Sequence, residues 1–390
     1  MYRRLFTTLL AIFVLSGCGV KYKLDRDQIT PEAPWPVYHR GPSNTGAVAD
    51  GEFDGHLKML WKTRNSGKPA GPLALANHAV VFPDTKKKLR FYDLLSGKEQ
   101  GRIKLKGSPR SGLAIQDSLG FYALTRRGSY VGGFDLIRYK SLWKRRIKDA
   151  NPGPIIVYNR LIVSSGDGLV QAYRLDDGEL LWQHELEGRL ETSASFAEGR
   201  IWQANDQGAL VALAVDDGSE LVRAQLPGPV VSPLAVTDRV YAVTMTGHVC
   251  ALDPADGTML WQVDLGAPTW TTPAVADGRL FLGMSSGRVV ALDAADGHEL
   301  WHRDTESVVR ASAVVIGSVV AAGTLSGKLL TLAADDGTTI DSVQIDGAIQ
   351  FSPVTDGRRL YVATQSGRII CFGEDHDQAD LADHRISPQP

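Results

Sequence analysis

The sequence predicts an all-β, eight-bladed β-propeller of four-stranded antiparallel blades, and three observations carry that prediction. A motif closing on Trp, or on a stand-in, returns about every 40 residues. Within each unit the apolar residues alternate with period 2. Asp-Gly and Ser-Gly dipeptides interrupt the alternation. A fixed period of this size marks one supersecondary unit that is stacked repeatedly.

The period is clearest in ALDPADGTMLW, ending at Trp261, and ALDAADGHELW, ending at Trp301. Aligned on the closing residue, the units end at Trp61, Gly101, Trp143, Trp182, Val222, Trp261, Trp301 and Asp341, which makes eight. One unit, TTPAVA, DG, RLFLGM, SSG, RVVALDA, DG, HELWHRD, reads as four short strands. The last turn carries Gly178, Gly218, Gly257, Gly297 or Gly337, each after Asp, as a tight hairpin with positive φ requires. Meanders stacked in a line leave long edges unpaired, whereas radial repetition closes them into a ring.

Both ends of the repeat array support closure. The last unit contains FSPVTD, RRLYVATQ and GRIICF and stops without a fourth strand. The segment HLKMLWK around Trp61 is a fourth strand with no preceding three. It is expected to pair beside Ile369 to Phe372, so that the eight blades occupy residues 56–372.

Trp143, Trp182, Trp261 and Trp301 each follow a small residue ten positions earlier: Gly133, Ala172, Ala251 and Ala291. A large indole on an outer strand packs between blades when the neighbouring strand leaves room. Trp61, Trp143, Trp182, Trp261 and Trp301 are therefore expected to be structural docking residues without chemistry.

The spacing A-x-D-x-x-D/T-G-x-x-x-W resembles the repeat of the pyrroloquinoline-quinone (PQQ)-type, quinoprotein-like propellers, and the resemblance covers almost the whole chain after residue 34. That family includes quinoprotein alcohol dehydrogenases and non-enzymatic, BamB-like outer-membrane-protein assembly lipoproteins. The dehydrogenases characteristically carry an adjacent Cys pair over the cofactor, with Glu, Asn and Asp ligands for calcium. This chain has three cysteines, Cys18, Cys250 and Cys371, and no adjacent pair. Its blades are also near-minimal, leaving little sequence for the loops of such a pocket. The resemblance thus implies no enzyme activity, no cofactor and no metal.

The N-terminus separates further possibilities. Met1-Tyr-Arg-Arg is basic, Leu5 to Leu15 is apolar, and Leu15-Ser-Gly-Cys18 follows. The apolar stretch is too short to span a bilayer as a helix and reads as a signal peptide over residues 1–17. Leu-Ser-Gly-Cys resembles a bacterial lipobox, which implies lipidation of Cys18. Several acyl chains on one residue anchor stably, each buried methylene adding about 0.8 kcal/mol. Gly19 is not Asp, which by resemblance to lipoprotein sorting implies the outer membrane, facing the periplasm. Residues 18–34 form a charged tether, residues 35–55 a lead-in segment and residues 373–390 a polar, disordered tail. The lead-in run W-x-x-x-x-R-G-P, with Trp35 and Arg40, resembles the start of many propellers of this type and is expected to pack on the ring.

Other constellations carry little. Cys250 and Cys371 sit three blades apart on opposite strand faces and are expected to be buried free thiols. His298 and His302 are four apart on a hairpin rather than a helix, so they do not share a helical metal face. No GxSxG motif and no glycine-rich nucleotide loop is placed between a strand and a helix.

The net charge is −2, yet the basic residues are unevenly spread. Residues 58–148 hold 21 Lys and Arg against five Asp and Glu. Lys86, Lys87, Lys88 and Arg90, then Arg138, Lys140, Lys144, Arg145, Arg146 and Lys148, define a basic sector. It is either a solvated surface or a contact for anionic headgroups or an acidic partner.

Connections between blades return to the central channel on one face. Alignment on Pro233, Pro273 and Pro353 places Glu191, Val230, Trp270, Arg310 and Gln350 at equivalent positions near the channel mouth. Trp and Arg dominate interface hot spots. The nearby run Glu187-Gly-Arg-Leu-Glu-Thr is a faint match to the contact loop of BamB-like proteins, which adds Arg189 and Leu190 as partner-binding candidates. The expected protein is a monomeric, lipid-anchored envelope scaffold that engages barrel-assembly machinery or unfolded outer-membrane proteins and no nucleic acid. The alternative is a ligand- or carbohydrate-binding propeller; a reduced PQQ-dependent dehydrogenase stands third.

Overall fold

The computed structural model describes residues 39–374, apart from 77, 110, 126–128, 137, 139, 150 and 151. The signal peptide, tether, Trp35, Cys18 and all but the first two residues of the tail lie outside the described residues. The described residues form β-strands and turns without a helix.

Eight antiparallel sheets follow one another along the chain. Blade 6 is representative: Ala274–Ala276 lies innermost, then Arg279–Gly283, Arg288–Asp293 and the outer Glu299–Asp304. Blade 8 joins the two ends of the array. Its inner three strands are Val354–Thr355, Arg359–Ala363 and Arg368–Gly373, and its outer strand is Met59–Arg64. The register pairs Trp61 with Cys371 and Thr63 with Ile369, as the missing-strand argument requires.

Each third strand meets its outer strand through a β-bulge placed at the same point of the repeat. Gly133, Ala172, Ala251 and Ala291 lie directly opposite Trp143, Trp182, Trp261 and Trp301. Each indole then crosses to the following blade. Its Nε1 donates to a backbone carbonyl there: Trp61 to Leu94 (2.9 Å), Trp182 to Val215 (2.9 Å), Trp261 to Ala294 (3.1 Å) and Trp301 to Ala334 (2.9 Å). Trp143 does the same to Leu175 at 2.5 Å.

The ring lies against the Asp-Gly turn of that next blade, or, for Trp61, against the Ser96-Gly97 turn of blade 1. A Cβ on Gly97, Gly178, Gly218, Gly297 or Gly337 would meet indole carbon within 2.4–2.6 Å. The turn glycine therefore serves twice, supplying positive φ (80° at Gly297) and clearing the floor under the neighbour's ring. Where the repeat has Gly101 in place of Trp, the small partner is also exchanged, and Phe91 stands opposite it, buried. Cys250 and Cys371 are buried free thiols within the seams. Burial pushes the Cys250 thiol up to about 12.

The lead-in segment does more than pack on the ring. Its backbone carbonyls serve the inner strands of four successive blades, with Pro42 accepting from Phe196, Ser43 from Val236, Thr45 from Val275 and Gly46 from Val315. Ala47–Val48 then adds to blade 7 as a short parallel strand beside Val314–Ile316. His39 is fully buried, its Nδ1 2.7 Å from the Asn44 carbonyl and its Nε2 3.1 Å from the Ala313 carbonyl. Asn44 donates to Ser195 Oγ at 2.9 Å. The contacts fall beside the turns between first and second strands, so the segment crosses the channel at the mouth opposite the inter-blade connections.

Candidate functional site

Each inter-blade connection runs from an outer strand back to an innermost strand, so all of them return to the axis on one face. Four of the five aligned positions meet there. Glu191, Trp270, Arg310 and Gln350, from blades 4, 6, 7 and 8, border one cavity of about 360 Å³ with Val231, Ser312 and Phe351. The Arg310 guanidinium stands over the Trp270 ring, 5.7 Å from its centroid. At that distance a cation–π contact holds an exposed arginine at the mouth. Gln350 accepts from Gln365 Nε2 at 2.6 Å.

Val230 departs from the expectation. It is fully buried and makes an isolated bridge to Thr244, and Val231 takes its place in the cavity wall. Leu190 also differs: it is fully buried in the seam between blades 3 and 4, so its side chain packs in the core and offers a partner no surface.

Arg189 is half-exposed and held from several sides. Its Nε donates to Glu191 at 2.8 Å and its Nη2 to Asp149 at 2.7 Å, while its backbone N–H donates to Asp206. The two carboxylates hold the guanidinium pKa above its usual range, Glu191 foremost. Arg189 thus links the connections entering blades 3 and 4, and Glu191 joins it to the mouth.

The channel continues beneath. A second cavity of about 180 Å³ is bordered by Asn44 of the lead-in segment and by Ser111, Pro152, Glu191 and Ser193. Among the described residues, Ser111 Oγ is buried there without a hydrogen-bond partner.

The basic sector divides on inspection. Arg90 is buried rather than on the surface, bound to buried Asp84 at 2.8 Å and to Glu99 at 3.1 Å. Arg145 donates to the carbonyls of Gly178 and Asp177 in the next blade. Lys148 pairs with Asp167 and Arg138 with Asp135. Lys86, Lys87, Lys140, Lys144 and Arg146 are exposed.

The repeat period did not reveal an apolar belt. The bulge makes the residue before each docking position the extra one and turns it outward. Leu142, Leu181, Leu221, Leu260 and Leu300 are thereby 36–51% exposed on the outer strands of blades 2 to 6. Those strands end their sheets, so each presents an unpaired backbone edge beside an exposed leucine.

Asp293, Asp296 and His298 bring three donor atoms together at one turn. Asp296 Oδ1 accepts from the His298 backbone and lies 2.6 Å from its Nδ1, an arrangement that shapes the hairpin.

Comparison with known proteins places this geometry. Residues 166–264 and 235–385 match the family model described as outer membrane protein assembly factor BamB, which together is more than half of the chain. The factor of that name from Yersinia pestis is 22% identical over 298 residues, 68% of this chain and 72% of that protein. That from Alkalilimnicola ehrlichii is 28% identical over 141 residues, 33% of this chain and 37% of that protein. The match to the latter thus spans little more than a third of its length.

Among solved structures, BamB from Moraxella catarrhalis superposes with a TM-score of 0.72 at 16% identity, covering 82% of this chain and 100% of that one. Quinohemoprotein alcohol dehydrogenase from Comamonas testosteroni gives 0.73 at 12% identity, covering 91% and 83%. At such identities the structural likeness shows the fold alone.

Proposed function

This chain belongs to the PQQ-like propeller family described as outer membrane protein assembly factor BamB, and on that premise we propose that it is a non-enzymatic assembly scaffold of the outer membrane. Lipid at Cys18 anchors it facing the periplasm, where it holds barrel-assembly machinery or its unfolded β-barrel clients. The observation that carries the reading is the channel mouth, where the hot-spot residue types Trp270, Arg310 and Arg189 converge, Arg189 held there by Glu191. The outer edges with their leucines supply a second kind of surface, suited to strand addition by an extended chain. Crosslinked co-purification of the full chain from native membranes, with Cys18→Ser as the unanchored control, tests the reading. Recovery of a barrel-assembly protein with the wild type supports it, and membrane-bound protein without any assembly component overturns it.

The second reading is a ligand-binding propeller. The buried, unpartnered Ser111 hydroxyl in the inner cavity favours a small polar ligand. A saturable rise in melting temperature with a sugar panel supports that reading.

A further inference from the structure

We propose that the seam between blades 1 and 2 is a binding pocket for an aromatic side chain flanked by carboxylates on a partner polypeptide, a site apart from the channel mouth. Blade 1 lacks both an indole and an aliphatic stand-in at its docking position, having Gly101 there; blade 7, with Asp341, is the other blade of which this is true. Gly132 adds to the opening from the other side. Its equivalents by register in six other blades are Gln171, Val211, Cys250, Val290, Leu330 and Ile370, several of them buried in the seam with the preceding blade. Gly132 sends no side chain there. Phe91 fills the space at the height of the missing indole, and a pocket of about 140 Å³ remains towards Lys104.

Size and chemistry of the walls define the occupant. Ile103, Leu124, Tyr122, Tyr130 and Phe134 make the walls apolar and aromatic. A dry cavity of roughly 150 Å³ takes one benzene ring. Lys104, Lys106 and Lys144 border the same pocket. Lys144 Nζ lies over the Tyr130 ring, 3.4 Å from its centroid, so the cation stands at the aromatic wall. Among the described residues, no carboxylate lies within ion-pair distance of Lys104 or Lys144. The acids nearby are engaged otherwise: Asp84 and Glu99 with Arg90, Asp93 with its own turn and Gln100, and Asp135 with Arg138. A ring with acidic neighbours satisfies both features at once, burying apolar surface and meeting the lysines.

The test uses the full chain carrying Cys18→Ser and three probes: acetyl-Glu-Phe-Glu-amide, acetyl-Glu-Ala-Glu-amide and acetyl-Lys-Phe-Lys-amide. Titration calorimetry should show the first binding about tenfold more tightly than either of the others. Lys104→Glu combined with Lys144→Glu should remove that preference. Ser141→Phe, which places a ring at the pocket from an exposed outer-strand position, should abolish binding while the melting temperature stays within a few degrees. Equal binding of all three probes, or undiminished binding by a folded Ser141→Phe chain, overturns the proposal. Neither result bears on the assembly role, which is read from membranes.

Discussion

The indole of Trp301 lies 2.5 Å from the position a Cβ on Gly337 would occupy, so the seam between blades 6 and 7 closes over a turn position that has no side chain. The same indole donates to the Ala334 carbonyl in that turn. Replacing either residue should open the seam. Trp301→Ala should cost about 3–5 kcal/mol, the range for large-to-small core changes. Gly337→Ala, which combines overpacking with a φ of 69°, should cost about 1–3 kcal/mol. Denaturant midpoints measure both, and a silent Gly337→Ala contradicts the docking account.

Closure of the ring has its own polar contact. Asp341 stands where five of the blades have Trp, and its Oδ2 accepts from the Leu57 backbone N–H at 2.8 Å. Asp341→Ala should leave that buried-edge donor unsatisfied and cost about 1–3 kcal/mol. Limited proteolysis should then cut first around residues 54–58. An unchanged cleavage pattern argues against a closing role for Asp341.

The lead-in segment should respond to acid. Burial lowers the His39 pKa from 6.5, outweighing its two backbone acceptors. The unfolded chain therefore binds a proton that the folded chain refuses. His39 contributes stability above the unfolded pKa, and that contribution is lost as pH falls below about 6.5. Between pH 7.5 and 5.5 the melting temperature of the wild type should fall further than that of His39→Gln. Equal pH dependence in the two chains contradicts this assignment.

Much of this was legible in the sequence because repetition multiplies a weak local signal. The strands of TTPAVADGRLFLGM, the closing strand at Trp61 and the pairing of Ala291 with Trp301 follow from period and spacing alone. Four of five mouth positions followed from aligning prolines, and the fifth shifted by one residue because Val230 bridges to Thr244. Leu190 could not be separated from its exposed neighbours, since a loop has no period to reveal its face. The path of residues 42–48 was invisible for a different reason: it is held by backbone carbonyls, which every residue possesses. The leucine belt depends on the bulge, a backbone event that reverses the expected alternation.

Arg189 separates binding from stability. Its ion pairs to Asp149 and Glu191 are solvent-exposed, so Arg189→Ala should change stability by less than about 1 kcal/mol. If the mouth is the partner surface, the same variant should lose most of the captured partner. Loss of fold in Arg189→Ala, seen as a large fall in melting temperature, contradicts this division.

Site-specific photocrosslinking in native membranes tests the central claim most directly. A photoreactive residue at Trp270 or Arg310 faces the channel mouth, whereas one at Asp336 sits on an exposed turn between the third and outer strands, on the opposite face. The account predicts adducts with a barrel-assembly protein from the first two positions and none from the third. Adducts from Asp336 alone, or from no position while the chain remains membrane-bound, would contradict it.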